Sequence, residues 1–97
     1  MAELNETIHQ PIRLRIMAAV CALESREKGL DFTRLKTMTG ATDGNLGAHI
    51  DTLARAGYVA VEKLFVDRRP KTLVTATRAG RVAFTAHVAF LRDVIGG

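Results

Sequence analysis

The sequence has 97 residues, a formal net charge of +4, 47% hydrophobic and 25% charged residues, which suits one domain with a modest core and excludes a disordered chain. No apolar run reaches the roughly 18 residues of a membrane span, the acidic, polar start MAELNETIHQP is not a secretory leader, and the single Cys21 has neither a disulfide partner nor a CxxC zinc pattern. The expectation is a single domain over residues 1–97, cytoplasmic and reduced, with no membrane partner.

Pro11 suits the first turn of a helix, where its missing N–H does no harm. Ile12, Ile16, Ala19, Val20 and Leu23 follow at helical spacing, Met17 and Cys21 widen the stripe, and the helix should end near residues 24–28 with Gly29 as a stop. Residues 30–32 are too few for more than a minor strand. Thr33 is placed to cap a second helix, residues 33–39, with Leu35 and Met38 inward and Gly40 as its stop. Only Ala41 separates that stop from Thr42, the next cap, so two helices meet at a short glycine-containing turn, as in a helix-turn-helix.

In the helix over residues 42–56, Leu46, Ile50 and Leu53 make one buried stripe at i, i+4, i+7, and Gly57 ends it. Residues 58–66 (YVAVEKLFV) read as a strand, Asp67-Arg68-Arg69-Pro70 as a turn that cannot continue a central strand, and residues 72–76 as the returning strand. Thr77 caps a last helix over about residues 78–95. There Phe84, Val88, Leu91 and Ile95 form one apolar stripe and Ala83, His87, Phe90 and Val94 a second. A surface helix needs one apolar face. Two imply one side on its own domain and one on a second copy, so this helix is expected to be the dimerisation element, with Phe84, His87, Val88, Phe90, Leu91, Val94 and Ile95 at the interface.

The charge is localised. Residues 63–78 hold Lys63, Arg68, Arg69, Lys71 and Arg78 against Asp67 alone, and the remaining nine basic and nine acidic residues cancel. A solvated hairpin tip and a polyanion-binding tip both fit that cluster.

The order helix, strand, helix, helix, strand, basic turn, strand, helix is an α+β, mainly α, winged helix-turn-helix. Three segments carry a family likeness: HQPIRLRIM, LDFTRLKTMTGATDGNLGAHIDTLARAGYV and RRPKTLVTATRAGR. With them the chain resembles small stand-alone winged-helix transcriptional regulators of the MarR/ArsR-like kind. The segment GAHIDTLARAGYV follows their S-x-H-L-x-x-L-x-x-A-G-L-V pattern with Gly47 in place of the Ser. The resemblance implies a homodimeric, sequence-specific regulator on double-stranded DNA, associated with the nucleoid. Its helix 42–56 would lie in the major groove, and its basic wing, residues 66–72, on the flanking backbone or minor groove.

The residues so implicated are Thr33, Thr42, Asp43, Gly44, Asn45, Gly47, Ala48 and His49 on the helix-turn-helix and Arg68, Arg69 and Lys71 on the wing. Asn45 suits the bidentate contact to adenine, His49 a phosphate or purine N7, and Thr42 with the first-turn N–H groups a phosphate. Asp43 suits the helix dipole and repels phosphate, and no Arg, Lys or Gln precedes Arg55 on the reading face. Asp51 and Arg55 are expected to pair with each other. Gly44 and Gly47 cost the helix about 1 kcal/mol each. They serve either close approach to DNA or tight packing on the preceding helix.

The histidines and Cys21 fall on separate elements, so no metal site or cofactor is expected. Cys21 reads as a core residue and His9 as a polar residue near a cap. GATDGNLG lacks the Lys-Ser/Thr of a phosphate loop, and no nucleophile–base set or carboxylate pair marks an enzyme. The rival to DNA binding is a protein–protein module using the same helix and hairpin. A small-molecule effector is left open by the sequence.

Overall fold

The computed structural model describes residues 3–23 and 27–96. In chain order it contains α1 (Glu6–His9), α2 (Pro11–Cys21), β1 (Leu30–Asp31), α3 (Phe32–Thr39), α4 (Asp43–Arg55), β2 (Val59–Val66), β3 (Arg69–Ala76) and α5 (Arg78–Val94). The strands form one antiparallel sheet in the order β1-β3-β2. The fold is therefore a mainly helical winged helix, as the element order in the sequence indicates.

The caps explain most boundaries. Thr42 Oγ1 accepts from the Asn45 N–H at 3.3 Å and starts α4. Thr77 Oγ1 accepts from the Gly80 N–H at 2.9 Å and also donates to the Gly57 carbonyl at 2.6 Å, tying the start of α5 to the end of α4. Gly40 closes α3 at φ 72°. At the end of α4, Gly57 takes φ 83°, its N–H donates to Ala54 O, and the Tyr58 N–H reaches back to Leu53 O. Those crossed bonds satisfy carbonyls the helix leaves open and turn the chain into β2.

Four boundaries differ from the sequence reading. A one-turn helix, α1, precedes Pro11, capped by Asn5. The expected end of the first long helix lies partly outside the described residues, and α2 itself stops at Cys21. The cap of α3 is Asp31, which accepts from the Arg34 N–H at 2.8 Å, so the helix starts one residue before Thr33. Carboxylate and hydroxyl are both good caps, and β1 leaves Asp31 extended in the cap position. Met38 is 52% exposed instead of inward, because α3 buries only Leu35 and Thr39.

The fourth difference is the wing. β3 begins at Arg69 and includes Pro70, so the turn is the two residues Asp67 and Arg68, at φ 51° and 66°. Both positive angles match the primed turns that suit the twist of a hairpin. Val66 opposite Arg69 then closes the loop, and Phe65 opposite Pro70 forms the next pair, which exchanges no backbone hydrogen bonds. β1 reaches only Leu73 and Val74 on the other side of β3. Pro70 thus sits where β3 is an outer strand, and its missing donor is not needed.

The core joins Ile8, Ile16, Met17, Val20, Leu30, Leu35, Leu46, Leu53 and Val74, all 0–2% exposed. It lies between α2, the inner faces of α3 and α4, and the base of the sheet. At roughly 1.5–3 kcal/mol per fully buried aliphatic side chain, this stripe is what orients α4 and leaves its opposite side free. No helix among the described residues is long and apolar enough to cross a membrane.

Candidate nucleic-acid interface

With Leu46, Ile50 and Leu53 buried, α4 turns Asp43, Gly44, Asn45, Ala48, Asp51, Thr52 and Arg55 to solvent, and Gly47 and His49 sit half-buried at its flanks. A Cβ built on Gly44 or on Gly47 meets no atom within 4 Å. The packing explanation for these glycines therefore fails. Neither holds α4 against a neighbour, and both leave an open, side-chain-poor surface. The glycine that does permit close packing is Gly80 in α5, where a Cβ would fall 1.9 Å from the Tyr58 carbonyl oxygen. Nothing in the local pattern of the last helix distinguishes it.

The early acid of α4 is compensated. Lys36 Nζ lies 2.6 Å from Asp43 Oδ1, both side chains exposed, so α3 supplies the cation that offsets Asp43. Such a surface pair adds little stability. Its effect here is to cancel a negative charge at the leading end of α4. Asp51 and Arg55 pair at 3.0 Å, as their spacing indicates.

His49 is held from behind. Arg13 of α2 points a guanidinium nitrogen at its Nδ1, 3.1 Å away, and the Arg13 Nε–H donates to the Thr7 carbonyl of α1. Burial first, and then the Arg13 charge, push the His49 pKa below the ordinary histidine value of 6.5. No sequence pattern points to Arg13, because the two residues are 36 positions apart and only the fold joins them.

The wing stands beside α4. Val61, Lys63 and Thr72 of the hairpin share a groove with Gly47, Ile50, Asp51 and Ala54 of α4 and with Phe32. Alternation puts Phe65 and its partner Pro70 on the same hairpin face as Val61 and Lys63, farther toward the tip. A second groove joins Thr33 to Val66, Arg69, Pro70, Lys71 and Thr72. Thr33, Arg69 and Lys71 are thus brought together, with Arg68 exposed at the turn. Thr42 is exposed and its hydroxyl is engaged as the cap of α4. Phe65, 77% exposed, reads in the sequence only as part of an aromatic strand; it shares a face with the buried Val59 and is exposed because it lies farther toward the hairpin tip, past the groove with α4.

The last helix is organised differently from its two stripes. His87 is 0% exposed and belongs to the interior of this chain, so it is not an interface residue. Its Nδ1 accepts the Asn5 N–H at 3.1 Å, its Nε2 lies 3.4 Å from His9 Nδ1, and its ring stacks on Phe90. Burial, then the neighbouring His9, lower its pKa. His9 and His87, on separate elements of the sequence, are therefore neighbours in space. Phe84 also packs on the core. Val88, Phe90 and Leu91 are half-buried, and Val94 and Ile95 are 66% and 79% exposed. On the outer side, Val82 is 64% exposed beside Ala86 and Ala89. Cys21 is half-buried against the core, its thiol pKa raised by burial and partly restored by Arg81.

These features coincide with known proteins. The chain is 36% identical over 77 residues to an uncharacterized protein of Methanocaldococcus jannaschii, MJ0432, covering 79% of each sequence. Its fold is similar to a transcriptional regulator homologue from Pyrococcus horikoshii OT3, with a TM-score of 0.82, 30% identity, and coverage of 96% of this chain and 88% of that one. It also matches the fold of a MarR family transcriptional regulator from Silicibacter pomeroyi, with a TM-score of 0.69, 22% identity, and coverage of 93% of this chain and 56% of that one. Residues 12–95 match the winged helix DNA-binding domain family, and the chain belongs to that family.

Proposed function

We propose that this chain is a transcriptional regulator that binds double-stranded DNA selectively as a homodimer, with α4 in the major groove and the wing on the flanking backbone or minor groove. The observation that carries the reading is the open surface at Gly44, Gly47 and Ala48 on a helix whose other side is buried. A helix without bulk on its outer face brings its backbone close to base edges. Asn45 and His49 are then the groups that reach those edges, and Thr42 with the first-turn N–H groups meets a phosphate. Thr33, Arg68, Arg69 and Lys71 form the flanking contacts, and Lys36 removes the repulsion of Asp43. Val82, Val94 and Ile95, with the half-buried Val88, Phe90 and Leu91, are the surface of α5 offered to a second copy.

A salt titration on duplex DNA tests the proposal. Affinity should fall steeply with salt, and Arg68→Ala with Arg69→Ala should lower the slope by about one unit for each phosphate the wing ceases to neutralise. Selection from random duplexes should return an inverted repeat with half-sites about one helical turn apart. Val94→Asp with Ile95→Asp should yield a folded monomer in light scattering. The exposed Phe65 favours a second reading, a protein-binding module, and a flat, weak salt response would count for that one against DNA binding.

A further inference from the structure

We propose that Arg13 is a positioning residue that locks His49 into the tautomer protonated at Nε2. His49 thereby becomes a one-way hydrogen-bond donor on α4, matched to an acceptor atom of the duplex. The second half of the inference rests on the DNA-binding reading above; the first half stands without it.

The chemistry is short. A guanidinium has N–H groups and no acceptor. With Arg13 Nη1 3.1 Å from His49 Nδ1, that nitrogen must present its lone pair. A neutral imidazole then carries its proton on the other nitrogen, Nε2. Arg13 is not free to swing away, because its Nε–H is engaged by the Thr7 carbonyl. That carbonyl belongs to α1, whose Ile8 is 0% exposed and whose cap, Asn5, is bonded to His87 and to the Tyr58 hydroxyl. Three helices thus hold one imidazole.

Protonating His49 would place an N–H against an N–H and a cation against a cation. Other charges do not relieve this. One turn away on α4 lie Asn45, Leu46, Thr52 and Leu53, none of them titratable. From α1, His9 is turned to His87, and from α3, Lys36 is turned to Asp43. Lys63 of β2 lines the groove on the Gly47 and Asp51 side of the helix. The ring therefore takes up its second proton at a lower pH than a free histidine does.

A neutral donor reads DNA in a particular way. It accepts purine N7, guanine O6 or thymine O4 as partners and is mismatched to the amino groups of adenine and cytosine. It brings no charge, so it releases no counterion. A base acceptor and a phosphate oxygen share this acceptor chemistry, and the test separates them.

The decisive measurement is nitrogen-detected imidazole NMR of the full chain, labelled at histidine, between pH 5 and 8. Wild-type His49 should show an unprotonated Nδ1 and a protonated Nε2 throughout the neutral range. Arg13→Met should mix the tautomers and raise the titration toward the ordinary 6.5, and Arg13→Lys, which keeps a donor, should restore the wild-type pattern in part. A wild-type ring protonated at Nδ1 overturns the proposal. So does an Arg13→Met ring that titrates as wild type does. The wild-type spectrum decides the first point even if Arg13→Met does not fold.

On DNA, His49→Ala should weaken the selected site roughly 2- to 10-fold, the worth of one hydrogen bond, with an unchanged salt slope. Relaxed preference at one base pair assigns the acceptor to a base, and a uniform loss assigns it to a phosphate. No loss of either kind refutes the DNA half. If the locked tautomer is found and no duplex is bound, the failure belongs to the DNA-binding reading alone.

Discussion

Replacing Gly47 by alanine should make the protein more stable, and replacing Gly80 by alanine should make it less so, although both lie in helices. Gly47 is the fifth residue of α4, and a Cβ there meets nothing within 4 Å. The substitution removes glycine's excess backbone entropy at no steric cost, a gain of about 0.5–1 kcal/mol. At the roughly 4–8 °C per kcal/mol usual for a domain of this size, Tm should rise by about 2–8 °C. Gly80 offers the same helical gain of about 1 kcal/mol. Its new methyl, however, falls 1.9 Å from Tyr58 O and 2.8 Å from Tyr58 C. Both are backbone atoms, and that carbonyl accepts the Thr77 N–H at 3.1 Å. α5 must shift off the start of β2, which costs about 1–3 kcal/mol. The net loss is up to about 2 kcal/mol. Urea denaturation of the three proteins checks both signs, and Gly44→Arg and Gly47→Arg in the same series test function. Both arginine variants should fold, because their side chains start in open space, and both should lose DNA affinity. A destabilised Gly47→Ala at unchanged m-value, or a Gly47→Arg protein that binds DNA as wild type does, would refute the argument that this surface is kept bare for close approach.

Further outcomes follow from the caps, the wing and the buried histidine. Asp31→Ala should cost about 1 kcal/mol as a lost helix cap, and Thr33→Ala almost nothing, as read by denaturant midpoints. Arg68 holds φ 66°, a conformation that costs a non-glycine residue of order 1 kcal/mol or more. Arg68→Gly should therefore fold at least as stably as wild type while reducing the salt slope of DNA binding by about one unit. His87 has a folded pKa below its ordinary 6.5. The unfolded chain then takes up the proton first as pH falls through that value, so stability is level above about 6.5 and declines below it. Denaturation at pH 7.5 and 5.0 should show the loss in wild type and a smaller loss in His87→Gln, the remainder arising at His49. Equal losses in the two proteins would reject the assignment. Asp43→Asn should free Lys36, strengthen DNA binding and steepen the salt slope.

What can be read from the sequence is what neighbouring residues decide. The caps at Thr42 and Thr77, the stop at Gly40 and the stripe Leu46–Ile50–Leu53 are local, and each stands where its pattern puts it. Asp31 and Thr33 are competing caps two residues apart, and the strand that pins Asp31 settles the choice. Pro70 reads as a strand breaker unless one knows that β1 stops short of it. The two stripes of α5 leave Val94 and Ile95 exposed, as a partner surface needs, and misplace His87 and Phe84, which face this chain's own interior. Residues 3–10, which carry no strong local pattern, bring Asn5 and His9 against His87 and so turn one stripe inward. In the site, the side-chain-poor face and the basic wing are legible. Arg13 and Lys36 are not, because each acts on a residue of another helix, across 36 positions for the pair Arg13 and His49.

The four-residue helix α1 has a consequence out of proportion to its size. Its backbone carbonyl at Thr7 grips Arg13, and its cap Asn5 grips both His87 and Tyr58. This short helix is in this way a clasp between the rod that would enter DNA and the rod that would meet a second copy. Prising it open slackens both together, so a break in this one turn would be felt at His49 and at His87 alike.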